Sequence, residues 1–172
     1  MPHIHIRKAN ASDAKLIEAL ARQIWRPHYI SIISAEQIDY MLDQFQSQSA
    51  IRHDMANKYT YDIAFCGNEP CGYCAVRSDG DTHFLSKLYV REDFRGRGIA
   101  RAMVERATRR AQKQQALRLQ LVCNKRNTGS LAAYARLGFS VTGECVTQIG
   151  NGYVMDDYQL CKAVPSSGSA YS

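Results

Sequence analysis

The stretch that decides the fold is LYVREDFRGRGIARAM, residues 88–103. An apolar, strand-like run is followed by charged residues and two glycines, and then by a helical pattern that begins near Gly98. The first turn of a helix has backbone N–H groups without intrahelical acceptors, and the helix dipole places partial positive charge there. Glycines let a ligand approach the backbone closely. The stretch therefore predicts an anion-binding loop, to which three arginines add formal charge: Arg95, Arg97 and Arg101.

Positive charge is concentrated around this loop. The chain of 172 residues has a formal net charge of +6, and residues 91–126 alone hold eleven Lys or Arg against three Asp or Glu. A nucleic-acid surface or a site for one phosphorylated cofactor would each explain such a block. The segment 106–118 has no aromatic residues that could stack on bases, and its charges fit a solvated helix face. We therefore expect a phosphorylated cofactor and no nucleic-acid partner.

Length and composition suit one globular domain, which we place at residues 1–164, followed by a flexible tail at 165–172. Apolar residues make up 45% of the chain and charged residues 22%, and no apolar run is long enough to span a membrane. The first residues lack the apolar centre of a secretory signal. These observations predict a cytoplasmic protein without a membrane partner.

Three of the six cysteines raise the question of a metal site. Cys66, Cys71 and Cys74 have the spacing C-x4-C-x2-C, which iron–sulfur proteins use. The surrounding segment, residues 61–76, is instead typical of two strands joined by a Gly-Asn-Glu-Pro turn, and the next cysteine is as distant as Cys123. We therefore expect reduced thiols in the core and no metal, while a redox role of these three thiols stays open.

Hydrophobic periodicity and capping signals predict seven strands and four helices. The predicted strands lie at 3–9, 59–66, 71–77, 82–90, 116–124, 140–148 and 153–162. The predicted helices lie at 10–25, 34–48, 98–115 and 127–137. Asn10 or Ser12 would cap the first helix, Ser34 the second and Asn127 the fourth, which ends before Gly138.

Two motifs together resemble the GNAT acetyltransferases. Arg95-x-x-Gly98-x-Ala100, directly after LSKLYV, is similar to the coenzyme A pyrophosphate loop of that family, Gln/Arg-x-x-Gly-x-Gly/Ala. LVCNKRNTGSLAAYARLGF, residues 121–139, resembles the other coenzyme A element of the family. The resemblance covers nearly all of residues 3–162. It implies an α+β fold with a central mixed, mostly antiparallel sheet of about seven strands flanked by four helices. Residues 23–42, 85–90 and 150–160 also resemble the branch that contains the PaiA-type polyamine acetyltransferases.

The resemblance implies transfer of an acetyl group from acetyl-CoA to a primary amine of a small cationic acceptor, by direct attack in a ternary complex. It also allows a homodimer, for which the sequence identifies no interface. Tyr134 matches the tyrosine that protonates the leaving thiolate in the family. The residues that the resemblance assigns to coenzyme binding are Leu88, Tyr89, Val90, Arg95, Gly96, Arg97, Gly98, Ile99, Ala100, Arg101, Asn127 and Tyr134.

The general base and the acceptor site are less determined. Many relatives carry a Glu on the strand that corresponds to residues 82–90, and residues 82–87 of this strand contain neither Glu nor Asp. The candidate bases are Asp157, Asp156, His83 and Asp81, and Asp157 is preferred, either as the base or as an anionic anchor for a cationic substrate.

The acceptor is expected to meet residues that follow the first helix and one on the last strand: Trp25, His28, Tyr29 and Tyr153. The alternatives are a protein or peptide acetyltransferase that acts on N-termini or lysines, and a non-catalytic module that senses acyl-CoA.

Overall fold

The computed structural model describes residues 2–166, which form seven strands and five α-helices. The strands are β1 (Ile4–Lys8), β2 (Tyr59–Cys66), β3 (Glu69–Asp79), β4 (Thr82–Val90), β5 (Arg118–Asn124), β6 (Ser140–Gly150) and β7 (Tyr153–Ala163). The helices are α1 (Ala14–Tyr29), α2 (Ala35–Phe45), α3 (Gln48–Ala56), α4 (Ile99–Lys113) and α5 (Thr128–Arg136), with short 3-10 turns at Ala11–Asp13 and Glu92–Phe94.

The strand order in the sheet is β1-β2-β3-β4-β5-β7-β6. β4 pairs with β5 in parallel. The pairs β1–β2, β2–β3, β5–β7 and β6–β7 are antiparallel. The predicted α+β fold with a mixed, mostly antiparallel sheet of seven strands is confirmed.

Five helices are present in residues 2–166, where four were predicted. The predicted helix over 34–48 corresponds to α2, and α3 lies almost entirely in residues 49–56, for which no element was predicted. Gln46 leaves helical geometry at φ −123° and ψ 11°, and α2 ends before it. Ser47 then begins α3, since its hydroxyl accepts a hydrogen bond from the Ala50 N–H at 3.2 Å. Ser34 caps α2 in the same way, through the N–H of Gln37 at 3.1 Å. A second serine cap was the local signal for α3.

The first helix has the predicted length but begins and ends four residues later than predicted. It continues past Trp25 and through Pro27, so that His28 and Tyr29 form its last turn and do not follow it. Proline has no N–H to donate and usually breaks a helix interior. Here the helix resumes its hydrogen bonding at once, since the Ile30 N–H bonds to the carbonyl of Arg26 at 3.1 Å.

The described chain divides into two compact units. The first comprises the residues up to Arg77 together with Lys87–Met103, and the second comprises Ser78–Ser86 together with the residues from Val104 onward. The buried side chains at the core of the first unit include Ile17, Leu20, Ile38, Leu42, Ile51, Ile63 and Tyr73. Those of the second include Val104, Ala107, Leu119, Leu121, Phe139 and Leu160. The boundary at residue 164 remains a prediction, and residues 167–172 of the predicted tail lie outside the described residues.

Candidate active site

The loop between β4 and α4 has the backbone expected of an anion cradle. Gly96 and Gly98 both have φ of +78°, and a Cβ built on either would meet no atom within 4 Å. Backbone conformation, not crowding, therefore requires glycine at these positions. The first helical hydrogen bond runs from the Ala102 N–H to the Gly98 carbonyl at 3.0 Å, so α4 starts directly after the second glycine.

Arginines hold this loop in place. Phe94 is buried, and two guanidinium groups contact its ring, that of Arg91 at 4.8 Å and that of Arg97 at 4.9 Å from the ring centroid. Arg91 is tied to Glu69 and to Asp93, each at 2.7 Å. Arg95, whose Nε donates to the Val90 carbonyl at 3.2 Å, is exposed, as is Arg97. The residues fit a phosphate-bearing group, because a rigid loop presents exposed cations beside a helix start.

The end of β4 is more open than its beginning. Along Thr82–Lys87 buried side chains alternate with half-buried ones, whereas Leu88, Tyr89 and Val90 are all half-buried. Gly72 on β3 lies close behind this end, since a Cβ there would come within 2.7 Å of the Tyr89 carbonyl oxygen. The strand segment predicted to hold the coenzyme arm therefore has accessible side chains next to the loop.

An aromatic cluster of the first unit surrounds Tyr89. The ring centroid of Tyr89 lies 5.4 Å from those of Trp25 and Tyr73 and 6.4 Å from that of Tyr29. The hydroxyl oxygens of Tyr29 and Tyr89 are 3.2 Å apart. Trp25 is only 2% exposed, so its indole forms the back of the cluster, and the half-buried Tyr29 and Tyr89 form its accessible side.

His28 connects this cluster to the glycine loop. Its ring stands edge-on to that of Tyr29 at 4.7 Å. Burial, reinforced by the charge of Arg95, lowers the pKa of His28 below its usual range, and Glu92 opposes the shift in part. The predicted coenzyme loop and the predicted acceptor residues of α1 therefore lie close enough within the first unit to interact electrostatically.

In the second unit, Tyr134 lies on α5, and the buried Asn127 directly precedes this helix. Asn127 is the N-cap, with its side-chain oxygen accepting from the Ser130 N–H at 3.4 Å, so the capping role is confirmed. Tyr134 is half-buried, and its ring packs edge-to-face on Phe139 with centroids 5.8 Å apart. No residue of α5 is buried, which leaves a flank of this described helix accessible. Coenzyme binding by Asn127 and acid catalysis by Tyr134 remain predictions.

Asp157 is a buried residue on β7, the strand that pairs with β5 on one side and with β6 on the other. It lies in register with Asn124 on β5 and Cys145 on β6. The side chain is 4% exposed, and among the described residues its Oδ1 has no hydrogen-bond partner. Burial, with a smaller contribution from Asp156, raises the pKa of Asp157 to about 6. Such a carboxyl is suited to accept a proton or to bind a cation near neutral pH.

The other candidate bases are either exposed or closed off from a substrate. Asp156 is exposed and forms an ion pair with Lys125 at 3.0 Å. Asp81 is exposed in the turn before β4. His83 is 1% exposed, and burial together with the charge of Arg110 lowers its pKa, so it has little access to a substrate. Tyr153, at the start of β7, is half-buried on the same strand as Asp157.

Sequence reasoning missed a buried lysine. Lys87 is 8% exposed, and its Nζ donates to the Tyr61 hydroxyl at 2.7 Å, to the Phe45 carbonyl and to Asp54 Oδ2 at 3.4 Å. Burial outweighs the attraction of Asp54 and lowers the pKa of Lys87 to about 8. The available signal was the alternation of β4, in which Lys87 falls at a position that the pattern assigns to the interior.

The cysteines show no sign of a cluster. Cys66, Cys71 and Cys74 are buried in β2 and β3, and burial raises the pKa of Cys71 to about 11. Across residues 2–166, no group of three or more His, Cys, Asp or Glu side chains is arranged to hold a metal ion. None of the described helices is both long and apolar enough to cross a membrane.

Known N-acetyltransferases share the fold of this chain. The chain is 22% identical over 143 residues to a spermidine N(1)-acetyltransferase of Thermoplasma acidophilum, which covers 80% of this chain and 89% of that protein. It superposes on the crystal structure of PaiA N-acetyltransferase from Thermoplasma acidophilum in complex with coenzyme A with a TM-score of 0.81, at 20% identity, covering 94% of this chain and 99% of the other. An alanine N-acetyltransferase of a ribosomal protein, from Escherichia coli, superposes with a TM-score of 0.72 at 13% identity and 99% coverage of both chains.

A family model decides the assignment. Residues 17–139 match the model of the acetyltransferase (GNAT) family. This range contains the glycine loop, the end of β4 and Tyr134. The predicted family is confirmed: the chain belongs to the GNAT family and is an acetyl-CoA-dependent N-acetyltransferase.

Proposed function

We propose that the acceptor is a small polycationic amine of the polyamine type, and that Asp157 receives its ammonium group. The observation that carries this proposal is the buried Asp157 carboxyl, whose Oδ1 has no partner among the described residues. An unpaired carboxylate in a buried position is costly, and an ammonium group supplies both charge and hydrogen-bond donors. The similarity to a spermidine N(1)-acetyltransferase supports the same acceptor class.

The aromatic cluster of the first unit suits the same kind of acceptor. Tyr29 and Tyr89 are half-buried and present ring faces and hydroxyls, and cations bind such faces favourably. Trp25 supports both rings from the core side and is assigned no direct contact.

Acetyl-CoA, when bound, supplies the thioester whose acetyl group is transferred. In the first unit, the backbone of Arg97–Arg101 and the side chain of Arg95 would hold its pyrophosphate, and the edge of Leu88–Val90 would pair with its pantetheine arm. The open space at Gly96 and Gly98 leaves the loop backbone accessible for this role.

Proton transfers accompany the reaction, and the second unit offers a group for the first and for the protonation of the sulfur. The Asp157 carboxylate accepts one proton from the acceptor ammonium, which frees the nitrogen lone pair that forms the new C–N bond. The Tyr134 hydroxyl donates a proton to the sulfur as the C–S bond breaks. The nitrogen loses its second proton to solvent as the amide forms, and solvent returns a proton to the Tyr134 oxygen. At neutral pH a carboxyl with a pKa of about 6 is largely ionised and therefore ready to act as the base.

The test is acetyl transfer to a panel of amines, followed by mass spectrometry of the products, because six cysteines would confound a thiol-reactive dye. The panel contains spermidine, spermine, free amino acids, short peptides and an aminoglycoside. Asp157→Asn is compared with Asp156→Asn, which changes the neighbouring exposed carboxylate. We expect polyamine turnover that falls at least about 100-fold in kcat/KM with Asp157→Asn and changes little with Asp156→Asn.

The outcomes separate the alternatives. A loss in kcat identifies Asp157 as the base, whereas a rise in the acceptor KM identifies it as an anionic anchor. Turnover of peptides only would keep the chemistry and refute the polyamine acceptor. Tight acetyl-CoA binding without turnover of any amine would favour an acyl-CoA sensor.

A further inference from the structure

Lys87 joins three different elements of the first unit at one buried point. Its Nζ donates to the carbonyl of Phe45 at the end of α2, to Asp54 of α3 and to Tyr61 of β2. An ammonium group has three donors, and these three acceptors satisfy them. Tyr61 in turn donates its hydroxyl proton to Asp54 Oδ2 at 2.5 Å, so lysine, tyrosine and carboxylate form one closed network.

A buried charge is not the choice that would stabilise the folded protein most at this place. Apolar residues of similar volume often stabilise a protein as well as a buried ion pair or better, because the charges must leave water. Burial lowers the pKa of Lys87 and raises that of Tyr61, which shows that both ionised forms are disfavoured there. A buried ammonium group that holds a backbone carbonyl therefore points to a requirement for position rather than for stability.

The carbonyl that Lys87 holds belongs to the turn between α2 and α3. The next residue, Gln46, is 3% exposed, and its Oε1 accepts a hydrogen bond from the Tyr73 hydroxyl at 2.8 Å. Two side chains of the sheet, Lys87 and Tyr73, thus fasten consecutive residues of this turn. The turn then fixes the hydroxyl end of Tyr73 in the core.

Tyr73 connects the turn to the acceptor side of the cluster. Its ring centroid is 5.4 Å from that of Tyr89, and the Tyr89 hydroxyl is 3.2 Å from that of Tyr29. A displaced α2–α3 turn would release Tyr73 and, through ring packing, change the position of Tyr89. The network at Lys87 and the two proposed acceptor residues therefore form one packed series.

We propose that Lys87 is a positioning residue for acceptor binding: its ammonium group fastens the α2–α3 turn, and the turn holds Tyr73 behind Tyr89 and Tyr29. The inference rests on the proposed function in that Tyr29 and Tyr89 are taken as the acceptor side. Lys87 itself need not touch either substrate.

The test compares Lys87→Met with Lys15→Met, the same change at an exposed lysine of α1 in the same unit. We expect Lys87→Met to raise the KM of the best amine of the panel about tenfold, because a small misplacement of a positioning group is costly. The KM of acetyl-CoA and the kcat at saturating amine should stay close to those of the unchanged protein. Lys15→Met should alter none of these values.

A second readout does not depend on turnover. Trp25 is the single tryptophan of the chain and packs on both Tyr29 and Tyr89. We expect acrylamide to quench Trp25 fluorescence more effectively in Lys87→Met than in Lys15→Met, without any acceptor present. Asp54→Asn, which keeps a hydrogen-bonding side chain, should show a smaller change in the same direction if Lys87→Met does not fold.

Equal quenching and an unchanged acceptor KM in the Lys87 variant would overturn the inference. So would an equal rise in the KM of both substrates, since a general structural defect would affect both. Failure of the proposed function appears differently: no polyamine turnover in the unchanged protein, with the quenching difference still present.

Discussion

Replacing Asp157 by asparagine should stabilise the protein while it removes activity. Burial raises the pKa of Asp157 from its ordinary 3.8 to about 6. The folded protein therefore binds this proton more tightly than the unfolded chain does, and the free energy of unfolding falls as pH rises from about 4 to about 6. Two pH units correspond to about 3 kcal/mol, which is the cost of keeping this carboxylate charged above pH 6.

A neutral amide removes that cost but stays desolvated. We therefore expect Asp157→Asn to raise the free energy of unfolding by between about 1 and 3 kcal/mol at about pH 7.5, and by almost nothing near pH 4, where Asp157 is protonated in the folded protein. The measurement is urea unfolding followed by circular dichroism at several pH values. Because other titrating groups are shared, the difference between the two proteins isolates Asp157.

Asp81→Asn provides the control, because Asp81 is exposed in a turn and its replacement should change stability by less than about 0.5 kcal/mol at any pH. This prediction would be contradicted if Asp157→Asn destabilised the protein at about pH 7.5. It would be refuted equally if the gain were the same at both ends of the pH range, since the effect would then not come from the charge.

Three other outcomes are expected. In the unchanged protein kcat/KM should decline below about pH 6, as Asp157 becomes protonated, and a flat acid side would exclude it as the base. Tyr134→Phe should lower kcat at least about tenfold but change acetyl-CoA affinity little, because phenylalanine keeps the ring that would contact the coenzyme. Tyr158→Phe serves as a control without effect, and equal kcat values would remove Tyr134 from the mechanism. Gly98→Ala should weaken coenzyme A binding about tenfold or more in calorimetry, because φ is +78° there and the loop backbone must approach the phosphates. Gly80→Ala, at φ +59° in the turn between β3 and β4 and with no atom near its Cβ position, should cost similar stability but no affinity.

Features that depend on a few neighbouring residues could be predicted from the sequence, whereas features that depend on distant segments could not. The glycine loop needs only a strand end, two glycines with positive φ and a helix start, all within residues 88–103, and the structure has each of them. The missed helix α3 had a local signal in Ser47, but residues 46–49 are all polar and Ile51 is the one buried residue of this described helix, so it has no apolar face that periodicity could detect. The continuation of α1 past Pro27 was missed because proline usually ends a helix. In the structure the helix continues, with the Ile30 N–H bonded to the Arg26 carbonyl.

In the candidate site, too, some residues could be assigned from the sequence, while their burial and partners could not. Tyr29 and Tyr89 were assigned from family motifs, and the structure shows that they meet across 60 residues of sequence. Trp25 was assigned to the acceptor as well, yet its burial could not be derived from a helix pattern that it shares with exposed neighbours. The ion pair between Lys87 and Asp54 could not be predicted from the sequence, because Asp54 lies on α3, the helix that was missed.

The sequence by itself determined the types and order of the elements other than α3, the coenzyme loop and the family, since periodicity, caps and glycine geometry act over a few residues. Only the tertiary structure decided which polar groups are buried and with what partners. Asp157 has its raised pKa because β5 and β6 flank it on both sides, and Lys87 has its network because α2, α3 and β2 converge on one strand position. Desolvation and charge pairing depend on distant segments packing together, and for that reason the chemistry of these two residues was set by the fold.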